Sequence, residues 1–176
     1  EESFNIFISG IDTYGTISSV SRSDVNMIVT VNPNTHEILL TSIPRDYYVQ
    51  LDGTKGLKDK LTHAGIYGVN KSIKTLENLF GIEINYYVKV NFSTIEGVIN
   101  AIGGVDVYSD YNFCTYGGPQ VCYVRGINHL NGYESLMFAR ERHAFSNGDV
   151  QRVKNQQKVL TAIISKISTS SVLITG

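Results

Sequence analysis

The chain has 176 residues, 42% of them hydrophobic and 18% charged, and its 15 Lys+Arg are set against 16 Asp+Glu. This is ordinary composition for one globular domain with its own core, not that of a disordered segment, and a net charge of -1 speaks against a general nucleic-acid binder. No apolar run reaches the roughly 20 residues of a membrane span, and no signal peptide is visible.

"FNIFIS", Phe4 to Ser9, reads as a buried strand leading to Gly10 and Asp12. "NMIVTV" and "HEILLTSI" flank the turn signal Asn32-Pro33-Asn34-Thr35 and predict a hairpin. Ile66, Val69, Ile73, Leu76 and Phe80 fall three and four apart, which predicts one apolar helical face ending at Gly81. In "INYYVKVNF" the residues Ile84, Tyr86, Val88 and Val90 alternate with Asn85, Tyr87 and Lys89, which predicts a strand. Ser93 and Glu96 form a capping-box signature for a helix through Ile95, Val98, Ile99 and Ile102, stopped by Gly103-Gly104.

Cys114 and Cys122 bracket Gly117-Gly118-Pro119, which turns the chain back between them. Either they form a local disulfide, which implies an oxidising, extracytoplasmic location, or they are two free thiols of a cytosolic protein. Two cysteines are too few for a zinc site, and the turn favours the disulfide. Asn131 and Glu134 then open a short helix ending near Arg140. Asp149 is expected to cap the last helix, with Val153, Leu160, Ile164 and Ile167 facing the core. Strands and helices interleave, so the expected class is α/β, with a mixed central sheet flanked by helices.

Three stretches put charged groups just beyond apolar strands: Asp12 in "SGIDTY", Arg22 and Asp24 in "SRSD", and Arg45 and Asp46 in "SIPRDYY". Ligand sites of open α/β sheets are commonly built there. Asp12 and Asp24 suit a hard divalent cation such as Mg²⁺, which takes few protein carboxylates and shares its shell with phosphate and water. Arginines bind phosphate oxygens through planar, paired donors. Together they suit a pyrophosphate. Each residue also has a plainer reading: a turn or cap for either Asp, a surface ion pair for Arg45 with Asp46, and a favourable helix C-terminus for Arg140 and Arg142. Arg152 differs, because a cation in the first turn of a helix is unfavourably placed unless an anion is near, and Gln156 shares its face one turn on. His63 and His143 are candidate proton carriers, although a lone histidine is usually structural. No Ser-His-Asp set or P-loop is present, which favours direct attack by a substrate hydroxyl.

In their order and spacing, "GID" at Gly10 to Asp12, "RSD" at Arg22 to Asp24, "SIPRD" at Ser42 to Asp46, "KLTHA" at Lys60 to Ala64, "IGGVDV" at Ile102 to Val107, "LNGYESLMFARERH" at Leu130 to His143 and "DVQRVKNQQ" at Asp149 to Gln157 resemble the LytR-CpsA-Psr family of Gram-positive cell-envelope enzymes. The resemblance covers nearly the whole chain. It implies an extracellular catalytic domain on the outer face of the cell membrane, held by an N-terminal transmembrane anchor that is absent from this chain. It further implies transfer of a glycopolymer, such as a teichoic acid or capsule-type polysaccharide, from a polyprenyl-pyrophosphate carrier to a peptidoglycan acceptor, with the lipid tail in an apolar tunnel of the core. By motif, Asp12 and Asp24 would serve Mg²⁺ or Mn²⁺ and, with Arg45, form the catalytic set. Arg22, Arg45, Arg140, Arg142, Arg152 and Gln156 would hold the pyrophosphate. Many members carry an arginine two residues after the first Asp, where this chain has Tyr14. The competing readings are a module that binds polyprenyl phosphates or wall glycans without turnover, and a polyprenyl-pyrophosphate pyrophosphatase.

Overall fold

The computed structural model describes residues 2–13, 21–168 and 171–175. In chain order the elements are β1 (Phe4–Ile11), β2 (Val25–Asn32), β3 (Glu37–Ile43), β4 (Tyr48–Gln50), β5 (Lys58–Lys60), α1 (Leu61–Ala64), α2 (Val69–Phe80), β6 (Tyr86–Asn91), α3 (Ile95–Ala101), β7 (Val105–Ser109), β8 (Phe113–Cys114), β9 (Cys122–Tyr123), β10 (Gly126–Leu130), α4 (Gly132–Arg140), α5 (Gly148–Ile167) and β11 (Ser171–Thr175). They fall into two compact units, Glu1–Asn91 with Ser170–Gly176, and Phe92–Thr169.

The first unit is built on a sheet of order β11-β3-β2-β1-β6. The pairs β1–β2 and β2–β3 are antiparallel, whereas β1–β6 and β3–β11 are parallel, so the sheet is mixed, as expected for this α/β class. The register joins Gly10 to Val25, Asn26 to Ile43 and Ile11 to Asn91. The ends of β1, β3 and β6 and the start of β2 therefore share one end of the sheet. Phe7, Ile28 and Ile43 of the sheet pack against Leu61, Ala64 and Leu76 of α1 and α2, with Val49 and Leu51 from the β4–β5 region.

Helix α2 ends where expected, at Gly81, whose left-handed backbone (φ 65°) lets its N–H reach the Glu77 carbonyl at 2.8 Å. Its apolar face is narrower than the spacing predicts. Ile66 lies in a separate 3-10 turn, out of phase with the helix, and both Ile66 and Phe80 are exposed. Thr75 is buried instead, and its hydroxyl oxygen accepts from the Asp52 N–H at 3.0 Å.

Strand β6 forms in the segment the alternation predicts. Parallel pairing of Phe7 with Tyr87 gives these two residues the same side of the sheet, so Tyr87 stacks on the buried Phe7 ring at 5.5 Å. Tyr86 and Val88 are left exposed, and Asn91 is buried.

In the second unit β7 and β10 pair antiparallel, and Val105, Val107 and Ser109 alternate inward. Helix α4 packs on α3 and α5, and α5 packs on β7. The Asn131–Glu134 capping box is present in both directions, each hydrogen bond 2.9 Å long. The other two helix starts differ from the sequence reading. A 3-10 turn, Phe92–Thr94, leads into α3, and Thr94 rather than Ser93 holds its N-cap position. Helix α5 begins at Gly148 after Asn147, so Asp149 lies inside the first turn and is not the cap. Its buried face carries Val159, Leu160 and Ala162 together with Gln151, Asn155 and Gln156, while Ile167 is exposed. The buried amides are partly matched: Gln151 donates to Asn155 Oδ1 at 3.0 Å, and Asn155 donates to the Phe138 carbonyl at 3.2 Å.

Cys114 and Cys122 face each other across β8 and β9 and are joined by a disulfide with Cα atoms 4.0 Å apart. The hairpin is held down by an aromatic cluster: Phe113 lies 4.8 Å from Tyr123 and 4.7 Å from Phe145, and Tyr123 lies 5.1 Å from Phe138. Buried Tyr123 donates its hydroxyl to the Glu134 carbonyl at 2.6 Å.

Helices α3 and α4 touch at Gly132, where an added Cβ would meet the Glu96 carbonyl oxygen at 2.2 Å. In an open helix Gly→Ala stabilises by up to ~1 kcal/mol. Here Gly132→Ala is expected to destabilise instead, by about 1–3 kcal/mol, because backbone must move aside. Urea unfolding of the variant checks the sign.

Candidate functional site

At the strand ends of the first unit, the register sets the end of β1, which leads to Asp12, beside the start of β2, which follows Asp24. The Asp24 N–H donates to the Gly10 carbonyl at 2.9 Å. Arg45 follows β3, next to β2 in the sheet, and its guanidinium Nη1 donates to Asp24 Oδ1. The two side chains keep only 25% and 18% of their exposure, so the pair is largely shielded from solvent. The sequence alone offered Asp46 as a partner for Arg45, but Asp46 pairs with Lys60 at 2.8 Å on the surface. Arg22 is exposed, two residues before Asp24. Tyr14 lies outside the described residues.

Three side chains without charge hold these loops. Asn91, at the end of β6, donates to the Thr13 carbonyl at 2.8 Å and accepts from its N–H at 3.4 Å, which fixes the backbone beside Asp12. Thr62 of α1 donates its hydroxyl to the Ser23 carbonyl, and its N–H donates to the Arg45 carbonyl, both at 2.9 Å. Thr62 thus ties together the loops that carry Asp24 and Arg45. Buried Ser9 donates to the Ser23 hydroxyl at 2.9 Å. Lys89 adds a half-buried cation: it donates to Ser21 Oγ at 2.6 Å, and burial pushes its ammonium below the usual lysine range. His63 of α1 is paired with Asp59 of β5 at 2.9 Å.

In the second unit Arg140 ends α4 and Arg142 follows after Glu141. A depression of about 170 Å³ there is lined by Tyr116, Met137, Arg140, Glu141, Arg142 and His143. Glu141 organises it. The carboxylate is buried and accepts from the Tyr116 N–H at 2.8 Å and the Ala144 N–H at 3.0 Å. Burial alone would raise its pKa, but hydrogen bonds from the backbone of Tyr116, Ala144, His143 and Arg142 outweigh this and hold it below the ordinary glutamate value. One buried anion thus fixes both the disulfide hairpin and the loop that carries Arg142. That loop lies against the start of α5, where a Cβ on Gly148 would meet the Arg142 carbonyl oxygen at 2.3 Å.

The anion that offsets Arg152 is supplied by its own helix: Asp149 Oδ1 accepts from Arg152 Nη2 at 2.9 Å. Position alone therefore does not require an external anion at Arg152. One turn on, Gln156 is fully buried, and neither amide atom has a hydrogen-bond partner among the described residues. A buried, unmatched amide calls for a ligand or a water.

Among the described residues no three His, Cys, Asp or Glu side chains come together to hold a metal ion by themselves. Asp12 and Asp24 are a two-carboxylate, hard-oxygen set, which fits Mg²⁺ because that ion keeps several waters and phosphate oxygens in its shell. No described helix is long and apolar enough to cross a membrane.

The sequence profile of the LytR_cpsA_psr family matches residues 1–176. The chain belongs to that family. It is 36% identical over 173 residues to the polyisoprenyl-teichoic acid–peptidoglycan teichoic acid transferase TagU of Bacillus cereus, covering 98% of this chain and 55% of that protein. This LytR_cpsA_psr chain thus spans about half the length of that curated relative. The crystal structure of B. subtilis TagV superposes with a TM-score of 0.79 at 37% identity, covering 97% of this chain and 66% of that one. A LytR-CPS2A-psr family protein, YwtF (TagT), solved with bound octaprenyl pyrophosphate lipid, superposes with a TM-score of 0.72 at 29% identity, covering 99% of this chain and 76% of that one.

Glu141 gives a test by pH. Its folded pKa lies below the ordinary value, so the stability it contributes is complete above that value and is lost as pH falls through the folded pKa. Urea midpoints measured from pH 7 to pH 3 are expected to drop toward the acid end in the wild type and to drop less in Glu141→Gln. The variant should already be weaker at pH 7, because a charge-assisted acceptor is gone.

Proposed function

We propose that this chain transfers a glycopolymer, of the teichoic acid or capsule type, from a polyprenyl-pyrophosphate carrier to a peptidoglycan hydroxyl. The observation that carries the reading is the Asp24–Arg45 pair at the end of the sheet where β1 leads to Asp12, in a chain similar along its whole length to a protein solved with octaprenyl pyrophosphate. In this reading the attacking hydroxyl bonds to the sugar-side phosphorus and the bond to polyprenyl phosphate breaks, leaving a phosphodiester. Arg45 and Arg22 neutralise phosphate oxygens, and the Asp24 pairing keeps the Arg45 fork oriented. Arg140, Arg142 and Arg152 are further phosphate ligands, and the unmatched Gln156 amide donates to an oxygen. Asp12 or Asp24 receives the hydroxyl proton. Mg²⁺ or Mn²⁺ held by Asp12 and Asp24 would neutralise charge on the phosphoryl oxygens. The prenyl tail lies in the apolar interior.

The same reading places the domain on the outer face of a Gram-positive cell membrane, attached through an anchor. The disulfide supports an oxidising compartment.

The chain is to be incubated with lipid-linked glycan, peptidoglycan oligomers and Mg²⁺, and the ligated product sought by mass. Product is expected in the wild type, and none with EDTA or in Asp24→Ala, with circular dichroism confirming its fold. Binding without product at any metal concentration would instead make it a binding module. Release of free glycan phosphate would make it a pyrophosphatase.

Separately, Arg140→Ala and Arg142→Ala are each expected to weaken polyprenyl-pyrophosphate binding at least tenfold, the loss of one charge-assisted contact of about 1.5–3 kcal/mol. Calorimetry on both variants checks this, and unchanged affinity would remove these residues from the phosphate set.

A further inference from the structure

A second polar depression of the Phe92–Thr169 unit is not used by the phosphate chemistry. It has a volume of about 440 Å³ and is lined by Tyr108, Asp110, Tyr111, Arg125, Gln151 and Lys154. That lies within the range of clefts that hold small ligands, roughly 300–1,000 Å³.

Its walls are set by the fold. Ser109 at the end of β7 is buried and donates to the Tyr111 carbonyl at 2.7 Å, so the chain turns there and presents Tyr108, Asp110 and Tyr111. Pairing of Gly126 with Ser109 brings Arg125 alongside, and its N–H donates to Asn112 Oδ1 at 2.7 Å. Helix α5 contributes Gln151 and Lys154, with Lys158 one turn beyond. At 100° per residue, Lys154 and Lys158 stand about 200° around the helix from Arg152 and Gln156 respectively. This depression therefore lies on the other side of α5 from the proposed phosphate ligands of that helix.

The charges do not balance. Asp110 is already matched, accepting from Lys158 Nζ at 2.5 Å and from Gln151 Nε2 at 3.3 Å. Burial would raise its carboxyl, but these contacts and the nearby charge of Lys154 hold it below the usual range. Three cations thus face one carboxylate. Neither Arg125 nor Lys154 has a hydrogen-bonded or ion-paired side chain among the described residues. Beside them Tyr108 and Tyr111 keep 48% and 50% of their exposure. The Tyr108 ring is braced by Lys158 at 5.5 Å and that of Tyr111 by Phe145 at 5.8 Å.

Two unmatched cations next to two braced, open aromatic faces suit a ligand that is both ringed and anionic. The rings stack on the C–H faces of a sugar, Arg125 takes an anionic oxygen pair, and Lys154 adds a point charge. We propose that this depression binds an acidic saccharide, a sugar or polyol segment carrying carboxylate or phosphate, apart from the pyrophosphate. Its role, holding the glycan in place for transfer, rests on the function proposed above. Its binding does not.

The full chain is to be titrated calorimetrically with three probes: an oligogalacturonate, a glycerol phosphate oligomer and a neutral chito-oligosaccharide. Saturable binding of an anionic probe is expected, with no binding of the neutral one, and the preferred anionic probe tells carboxylate from phosphate. Affinity should fall at least tenfold in Arg125→Ala and in Lys154→Ala, both exposed positions where folding is not at stake, and should fall with added salt. Arg142→Ala should lose polyprenyl-pyrophosphate affinity while keeping that for the saccharide, which separates failure of this site from failure of the transfer reading. Equal binding of the neutral probe, no binding of either anionic probe, or full affinity in the Arg125→Ala/Lys154→Ala double variant would overturn the proposal.

Discussion

The register Gly10–Val25 sets the end of β1 against the start of β2, and the charged site of the first unit follows from it. Because β3 runs antiparallel to β2, its end arrives at the same place and brings Arg45 to Asp24. A slip of one residue would exchange the two faces of β2, setting Val25, Met27 and Val29 where Asn26 and Ile28 now pack and removing Ile28 from the core it shares with Phe7 and Ile43. Apolar burial along the strand therefore enforces the geometry of the polar groups at its end. Asn91, Thr62 and Ser23 carry this constraint into the loops, where no strand pairing operates.

In the second unit a single buried carboxylate has the corresponding part. Glu141 lies between two arginines in sequence, and a surface reading would make it their counter-charge. It turns inward instead and accepts backbone N–H groups from the hairpin and from the loop. An ionised carboxylate is tolerated in such a place only when several donors surround it. Arg142 is thereby displayed beside it, on a loop whose shape the anion maintains, while Arg140 stands at the end of α4. The disulfide and the Phe113–Tyr123–Phe138–Phe145 cluster secure the other side of the same hairpin.

Membership of the LytR_cpsA_psr family supports the proposal of a lipid pyrophosphate as ligand, with the arginines as its proposed contacts. Arg152 shows that not every cation needs an external partner, since Asp149 lies one helical turn away. Gln156 makes the stronger case for a ligand. A neutral amide is costly to bury unmatched, and it has no partner among the described residues.

Local signals were legible in the sequence by itself: the hairpin around Asn32–Thr35, the stop of α2 at Gly81, the capping box of α4 and the cysteine pair around a glycine turn. Each is decided within a few residues, by backbone sterics or by hydrogen bonds along the chain. The order of the arginine- and aspartate-bearing motifs also identified the family, and the proposed site residues follow from that resemblance. Partners were not legible. Arg45 has Asp46 beside it in sequence and pairs with Asp24, because strand order outranks adjacency once the sheet forms. The alternation in β6 marked a strand without saying which set turns in, and the parallel register with β1 turned Tyr87 toward Phe7. Nothing in the sequence singled out Glu141 or Asn91, and only burial gave their polar atoms no choice but the backbone around them. What the sequence determined is the local geometry and the set of groups available for chemistry. Which of them meet was decided by tertiary structure, since pairing between distant residues depends on strand order and on which groups lose contact with water.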